Sequence, residues 1–196
     1  MKRSLLLFVV LALIVSPSFA FDPTRPAVHR ITLLQAPMYK GTDFELQIAR
    51  GVREGLLREL RGRGFDVTDS GSTYADVQRD ASAVSGLYVE LAPSDAHSER
   101  SGDVAVSGRS VGVDVAMLVS RVAAELRIYD GRTLELIARR HLSKADVSVV
   151  PTGIGIGSYR MSVWFGLPFF QYARYRAAAR AVVKDAAAEI AGIAGR

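Results

Sequence analysis

The sequence predicts an α/β fold: a single two-layer sandwich, with a mostly antiparallel sheet and a long β-hairpin packed by two main helices. Three observations carry this. Phe44, Ile48, Val52, Leu56 and Leu60 recur at helical spacing. From Val111 to about Val149, two long runs flank an Asp130-Gly131 turn signal. Behind Pro168, which suits a first helical turn, Tyr172, Tyr175, Ala179, Val182, Val183, Ala186, Ile190 and Ile193 line one face of a closing helix.

Residues 1–20 read as a cleavable secretory signal. Met1-Lys2-Arg3 is positive, Leu5 to Val15 is uninterrupted apolar, and Ser18-Phe19-Ala20 places small residues at a cleavage site. As a helix that apolar run rises about 16 Å, short of the roughly 30 Å of a hydrocarbon core. The chain has no cysteine, and Phe21-Asp22 stands where a lipid-bearing cysteine would follow the cleavage site. A processed chain of about 176 residues is long enough to form one core without disulfides. Residues 21–27, with Pro23 and Pro26, read as an extended lead-in, and 28–196 as one domain.

Within that domain, Val28 to Ala36 reads as a strand stopped by Pro37. Thr42-Asp43-Phe44-Glu45 is a capping box, in which the threonine oxygen takes an orphan N–H and Glu45 reaches back. Gly51 and Gly55 each cost a helix interior about 1 kcal/mol against alanine, so one turn apart they imply close packing, expected here against a strand. Glu54 with Arg58, and Glu59 with Arg63, are stabilising helical pairs. Gly62 and Gly64 end the helix before a short strand, Phe65 to Thr68. Ser70 to Ser85 mixes loop with a helical turn, Gly86 to Ala92 alternates as a strand, and Pro93 to Gly102 is a polar loop holding His97. For the hairpin, a three-residue loop of Asp130, Gly131 and Arg132 sets Ile128 against Leu134 and Leu126 against Leu136, with Arg127 opposite Glu135. Val150 to Leu167 is glycine-rich and then aromatic, and its glycine part reads as a connector.

Chemistry-bearing patterns are sparse. His29, His97 and His141 have no neighbour at metal-ligand spacing, so no metal is expected. Gly153 to Ser158 lacks both the lysine of a P-loop and the spacing of a dinucleotide fingerprint, so no cofactor is expected either. There is no G-x-S-x-G elbow and no Ser-x-x-Lys. The expectation is a protein that is not an enzyme. The formal charge of +5 falls to about +3 without Lys2 and Arg3, too little to point to nucleic acid. No later segment is long and apolar enough to span a membrane.

One stretch stands out: its rings either cap the end of the core or stay partly exposed as a docking surface. Tyr159, Trp164, Phe165, Phe169 and Phe170 gather the chain's single tryptophan with several other rings. Arg176, Arg180 and Lys184 follow at spacings of four, while Asp185 and Glu189 fall on another side of the helix. Read together they are a surface for an envelope protein or for a membrane carrying anionic lipid. Self-association into a homo-oligomer is compatible with the same reading.

Four phrases carry a family resemblance: Val28 to Ala36 (VHRITLLQA), Leu60-Arg61-Gly62-Arg63-Gly64-Phe65-Asp66-Val67, Gly86-Leu87-Tyr88-Val89, and Leu126 to Leu136 around Asp130-Gly131. In this order, behind an export signal, the chain resembles the small periplasmic domain shared by the curli-secretion lipoprotein family and penicillin-binding-protein activators. The resemblance implies a periplasmic adaptor, activator or pore subunit with no catalytic residues to carry over. The expected function is thus a non-catalytic exported binding or assembly module of the cell envelope. The alternatives are a periplasmic hydrolase built around Asp76 and His97, and a small-ligand carrier with an enclosed apolar pocket.

Overall fold

The apolar spacing of the first helix is borne out by burial: Ile48, Val52, Leu56 and Leu60 are all inside α1 (Asp43–Gly62). The computed structural model describes residues 28–36, 43–80, 86–107, 111–156, 159–162 and 168–195, with backbone alone at 43–44, 103–107, 111, 160–162 and 168–174. The cap expected at Thr42 lies outside the described residues.

The sheet has six strands in the order β2-β1-β3-β4-β5-β6. Strand β1 (Arg30–Leu33) runs parallel to β2 (Asp66–Asp69) and to the start of β3 (Leu87–Ser107). From β3 onward the sheet is antiparallel through β4 (Val111–Asp130), β5 (Leu136–Ile156) and β6 (Tyr159–Ser162). Helix α2 (Tyr74–Asp80) is short, and α3 (Pro168–Ala194) closes the chain. Helices α1 and α3 lie side by side on one sheet face, so the architecture is a mostly antiparallel two-layer α/β sandwich.

Alternation of side chains sorts the sheet into two unlike faces. One carries Ile31, Leu33, Leu87, Val89, Val122, Ala124, Leu126 and Ile128, all buried against α1 and α3. From α3, Tyr175, Val182, Val183, Ala186 and Ile190 meet them, as its spacing requires. Fully burying a side chain the size of Leu126 contributes about 1.5–3 kcal/mol. On the opposite face a small cluster of Leu34, Val77, Tyr88 and Tyr129 anchors α2 at one end of the sheet. The Tyr74 ring stacks on Tyr129 with centroids 3.9 Å apart, and its hydroxyl donates to the Leu134 carbonyl oxygen at 2.5 Å.

Four expectations are corrected. Pro93 to Gly102 is not a loop but part of β3, with bulges at Pro93/Asp95 and Arg100/Gly102. Its polar residues reflect a strand with an open face, and β1 pairs β3 only from Leu87 to Val89, so the proline sits beyond that pairing. The glycine segment is not a connector: β5 continues to Ile156 and β6 returns from Tyr159 to Ser162. The tight neighbour of Gly55 is not a strand but α3, where a Cβ at residue 55 would meet Val183 Cγ2 at 3.2 Å.

The hairpin register is the fourth. Tyr129 pairs with Leu136, Ile128 with Ala138, Arg127 with Arg139 and Leu126 with Arg140. The turn is longer because the Asp130 carboxylate accepts the N–H groups of Arg132 at 2.8 Å and Thr133 at 3.2 Å. Leu134, at φ 60°, then tucks into the α2 cluster instead of joining the ladder.

Candidate functional site

Helices α1 and α3 approach closely at Gly55 and diverge around a groove of about 810 Å³. Gly51, Gly55 and Gly62 line the α1 side, Gly55 packed against Val183 and Gly62 open, while Arg58 projects from α1, Arg63 from just beyond it, and Arg176, Arg180 and Lys184 from α3. Among the described residues, five cations thus line the groove against one carboxylate, Glu59, and that carboxylate is paired with Arg63 at 3.1 Å. Arg58, Arg176, Arg180 and Lys184 have no carboxylate partner among the described residues. The acids of α3 do not relieve this, because they face β5: Asp185 pairs with Lys144 at 2.6 Å and Glu189 with Arg140 at 3.0 Å. The groove is therefore a concave, cationic surface.

A second surface lies on the sheet face away from α1 and α3. Strand pairing places Met117 beside Val149, and Ile156 beside Tyr159, on that face. All four are exposed together with Val147 and Ile154; Val149 is 63% and Tyr159 81% accessible. From Val147 to Ile156 the strip runs about 30 Å along the strand. Contiguous exposed apolar surface of that extent on a soluble protein usually marks contact with something else.

Nearer α2 the same face carries a closed ionic ladder. Glu90, only 2% accessible, accepts Arg127 Nη1 at 2.9 Å and the Tyr129 hydroxyl at 3.4 Å. Arg127 Nε donates to Glu125 Oε1 at 2.5 Å, and Arg139 Nε lies 2.9 Å from the same oxygen. The bonds from Arg139 and then Arg127 hold the Glu125 carboxyl below its usual range, and the Glu125 bond raises Arg127 in turn. Burial, followed by the Glu90 charge, raises the Tyr129 hydroxyl. The ladder lets Arg127 sit opposite Arg139 by placing a carboxylate on either side of it.

The docking residues expected from sequence are divided between surfaces. Arg176, Arg180 and Lys184 join Arg58 and Arg63 in the groove, whereas Tyr159 stands on the other sheet face. Phe169 and Phe170 are in the first turn of α3, with side chains outside the described residues, as Trp164 and Phe165 are entirely. Asp76 and His97 are not brought together. Asp76 caps α2, accepting the Thr73 N–H at 2.9 Å and hydroxyl at 2.7 Å, and these bonds lower its carboxyl, the hydroxyl bond most. His97 Nδ1 lies 2.6 Å from Asp95 Oδ2 on a part-exposed stretch of β3, about 30 Å of strand beyond the Tyr88 that packs near α2. His29 and His141 are exposed. Among the described residues no group of three His, Asp or Glu is set to hold a metal, and no helix is long and apolar enough to cross a membrane.

Sequence reasoning missed Arg58 and Arg63 as groove residues, since their α1 pairs with glutamates looked self-sufficient. It also missed the apolar strip, although Val147 and Val149, then Ile154 and Ile156, alternate visibly at the spacing of a strand.

No protein-family model and no curated protein matches this sequence. Solved structures do. A Helicobacter pylori protein described as a neuraminyllactose-binding hemagglutinin homolog is 10% identical, with 83% of this chain and 85% of that one covered at a TM-score of 0.56. A minor lipoprotein from Acinetobacter baumannii is 13% identical over 86% and 95% of the two chains at 0.45. A hypothetical protein from Chlamydia trachomatis is 10% identical over 86% and 98% at 0.49. The first of these likenesses shows a shared fold.

Proposed function

We propose that this chain is an exported, non-catalytic adaptor of the cell envelope, working in the periplasm, and that it holds an acidic segment of a partner protein in the groove between α1 and α3. The observation that carries this reading is the charge of that groove: among the described residues it holds five cations and a single carboxylate already engaged, and the open space at Gly62 leaves room for a partner. Unpaired cations repel one another and destabilise the isolated fold slightly, so clustering them in a cleft is useful when an anion arrives to neutralise them. Concavity favours a peptide over a bilayer. A membrane surface is wide and flat, and headgroups reach a convex basic face more easily than one recessed between two helices.

The specific type suggested by the sequence, the domain of the curli-secretion lipoproteins and penicillin-binding-protein activators, fits an adaptor role of this kind. The export step rests on the leader at residues 1–20.

The test is a titration of the purified protein with a fluorescein-labelled oligoglutamate peptide over a range of salt. Binding should weaken steeply with salt and fall at least about tenfold in the double variant Arg176→Glu/Arg180→Glu, while Arg132→Glu on the distant hairpin turn leaves it unchanged. Equal losses from the groove and turn variants would refute a site in the groove. Stronger binding to vesicles containing anionic lipid, or to sialyllactose as a small anionic sugar, with the same groove dependence, would replace the acidic peptide with that ligand.

A further inference from the structure

Strand β5 is bordered by β4 along nearly its whole length but by β6 only from Gly153 to Ile156. From Leu136 to Thr152 its outer edge meets no strand among the described residues, a run of about 55 Å. Open edges of this length are normally blunted by prolines, bulges or charged side chains. The sheet's other long edge is blunted in all three ways. Beyond Val89, β3 carries Pro93, two bulges and the charges of Asp95, Glu99 and Arg100. On β5, by contrast, pairing with β4 is regular from Ala138 to Pro151, and the proline comes only at the end. Its guarding charges are also drawn aside: Lys144 and Arg140 reach back to Asp185 and Glu189 on α3.

We propose that the occupant of this edge is a second copy of this chain, with β5 antiparallel to β5 about a two-fold axis at Ala145. A pairing that keeps both faces of the sheet must place like parity against like parity. An axis at Lys144 sets that cation against itself, and one at Asp146 does the same with a carboxylate. The axis between them sets Lys144 of each chain opposite Asp146 of the other, and Asp146 has no cation of its own among the described residues. In this register Ala138 faces Thr152, so nearly the entire open edge is paired and the contact stops where β6 begins. On the open face the exposed Val147 and Val149 of one copy fall opposite Ser143 and His141 of the other, continuing the apolar strip across the axis.

The helix layer fits the same arrangement. Helix α3 lies over β4 and β5. Across the joined sheet its twin is two strand spacings away, about 9.6 Å, within the range of packed helices. Asp185 and Glu189 mark the flank of α3 that turns toward β5, and Ala181, Ala188 and Gly192, beside Asp185 at helical spacing, are small enough to permit that approach.

The absence of cysteine makes the register directly measurable. In Ala145→Cys the two thiols would be opposite each other with Cα atoms about 4.5–5.5 Å apart, suited to a disulfide, so mild oxidation should convert most of the purified protein to covalent dimer. Val149→Cys, displaced from the axis by four residues in each copy, should not crosslink. Sedimentation of the unmodified protein should show a dimer, and Asp146→Lys should weaken it at least about tenfold by setting lysines against each other. A strictly monomeric protein at high concentration, or equal crosslinking at 145 and 149, would overturn the proposal. Peptide binding in the groove, measured on the Asp146→Lys monomer, stays separate from this outcome.

Discussion

Arg53 on α1 donates through Nη1 to the carbonyl oxygen of Leu34 at 2.6 Å, tying the helix to the end of β1. Its other terminal nitrogen donates to the carbonyls of Leu33 at 3.2 Å and Ser70 at 3.1 Å and pairs with the Asp69 carboxylate. One guanidinium thus gathers the C-terminal ends of both parallel strands, adding to the Ser70 N–H that already reaches the Leu33 carbonyl at 3.0 Å. The fork geometry of arginine is what allows this; an ammonium is a single point.

Arg53→Met should therefore lower unfolding free energy by about 2–4 kcal/mol, since it strands part-buried carbonyls as well as an ion pair. Arg53→Lys should recover less than half of that. Urea unfolding with an unchanged slope checks both.

At residue 86 a Cβ would lie 2.5 Å from the carbonyl oxygen of Arg30, and backbone on both sides leaves nothing to yield. Gly86→Ala is expected to cost about 2 kcal/mol or more, whereas Gly71→Ala, with open space around it, should stay within about 0.5 kcal/mol. Thermal melts of the two variants side by side make the comparison.

The Glu125 carboxyl titrates below its ordinary value of 4.5 in the folded chain because Arg139 and Arg127 bond to its charged form. A depressed carboxyl contributes stability above its unfolded value and loses it as pH falls through the folded one. Glu125→Gln should consequently be less stable than the parent near neutrality, with the gap closing in acid. A gap that widened on acidification would contradict the ladder.

Leu126 is fully buried between the sheet and the helix layer, while Lys144 and Arg140 pair with α3 near the surface. Leu126→Ala should cost about 2–5 kcal/mol. Lys144→Ala and Arg140→Ala should each cost less than about 1 kcal/mol, because solvent screens such pairs. Denaturation midpoints of the three variants test the ranking.

Much of this architecture was readable from periodicity. The faces of α1 and α3 followed from spacing, because a helix buries one stripe whatever lies beneath it. β1 and the start of β3 followed from alternation, and β4 from its apolar run before Asp130-Gly131. The misreadings share a cause. Pro93 to Gly102 looked like a loop because its composition is polar, yet a strand with one wet face and a free edge tolerates that. The hairpin register looked fixed by matching apolar residues, yet Asp130 bonded its own turn and Leu134 went to Tyr74 on α2, a partner remote in sequence.

For the candidate site the division is similar. Arg176, Arg180 and Lys184 were legible as a basic ridge, since the helical repeat alone sets them on one side of α3. That Arg58 and Arg63 face them across the groove depended on how α1 and α3 dock, and docking is decided by side chains meeting from segments more than a hundred residues apart. Local periodicity determines which residues share a face. Only the packed chain decides which faces confront each other, because that choice is made by shape and charge between surfaces and not along them.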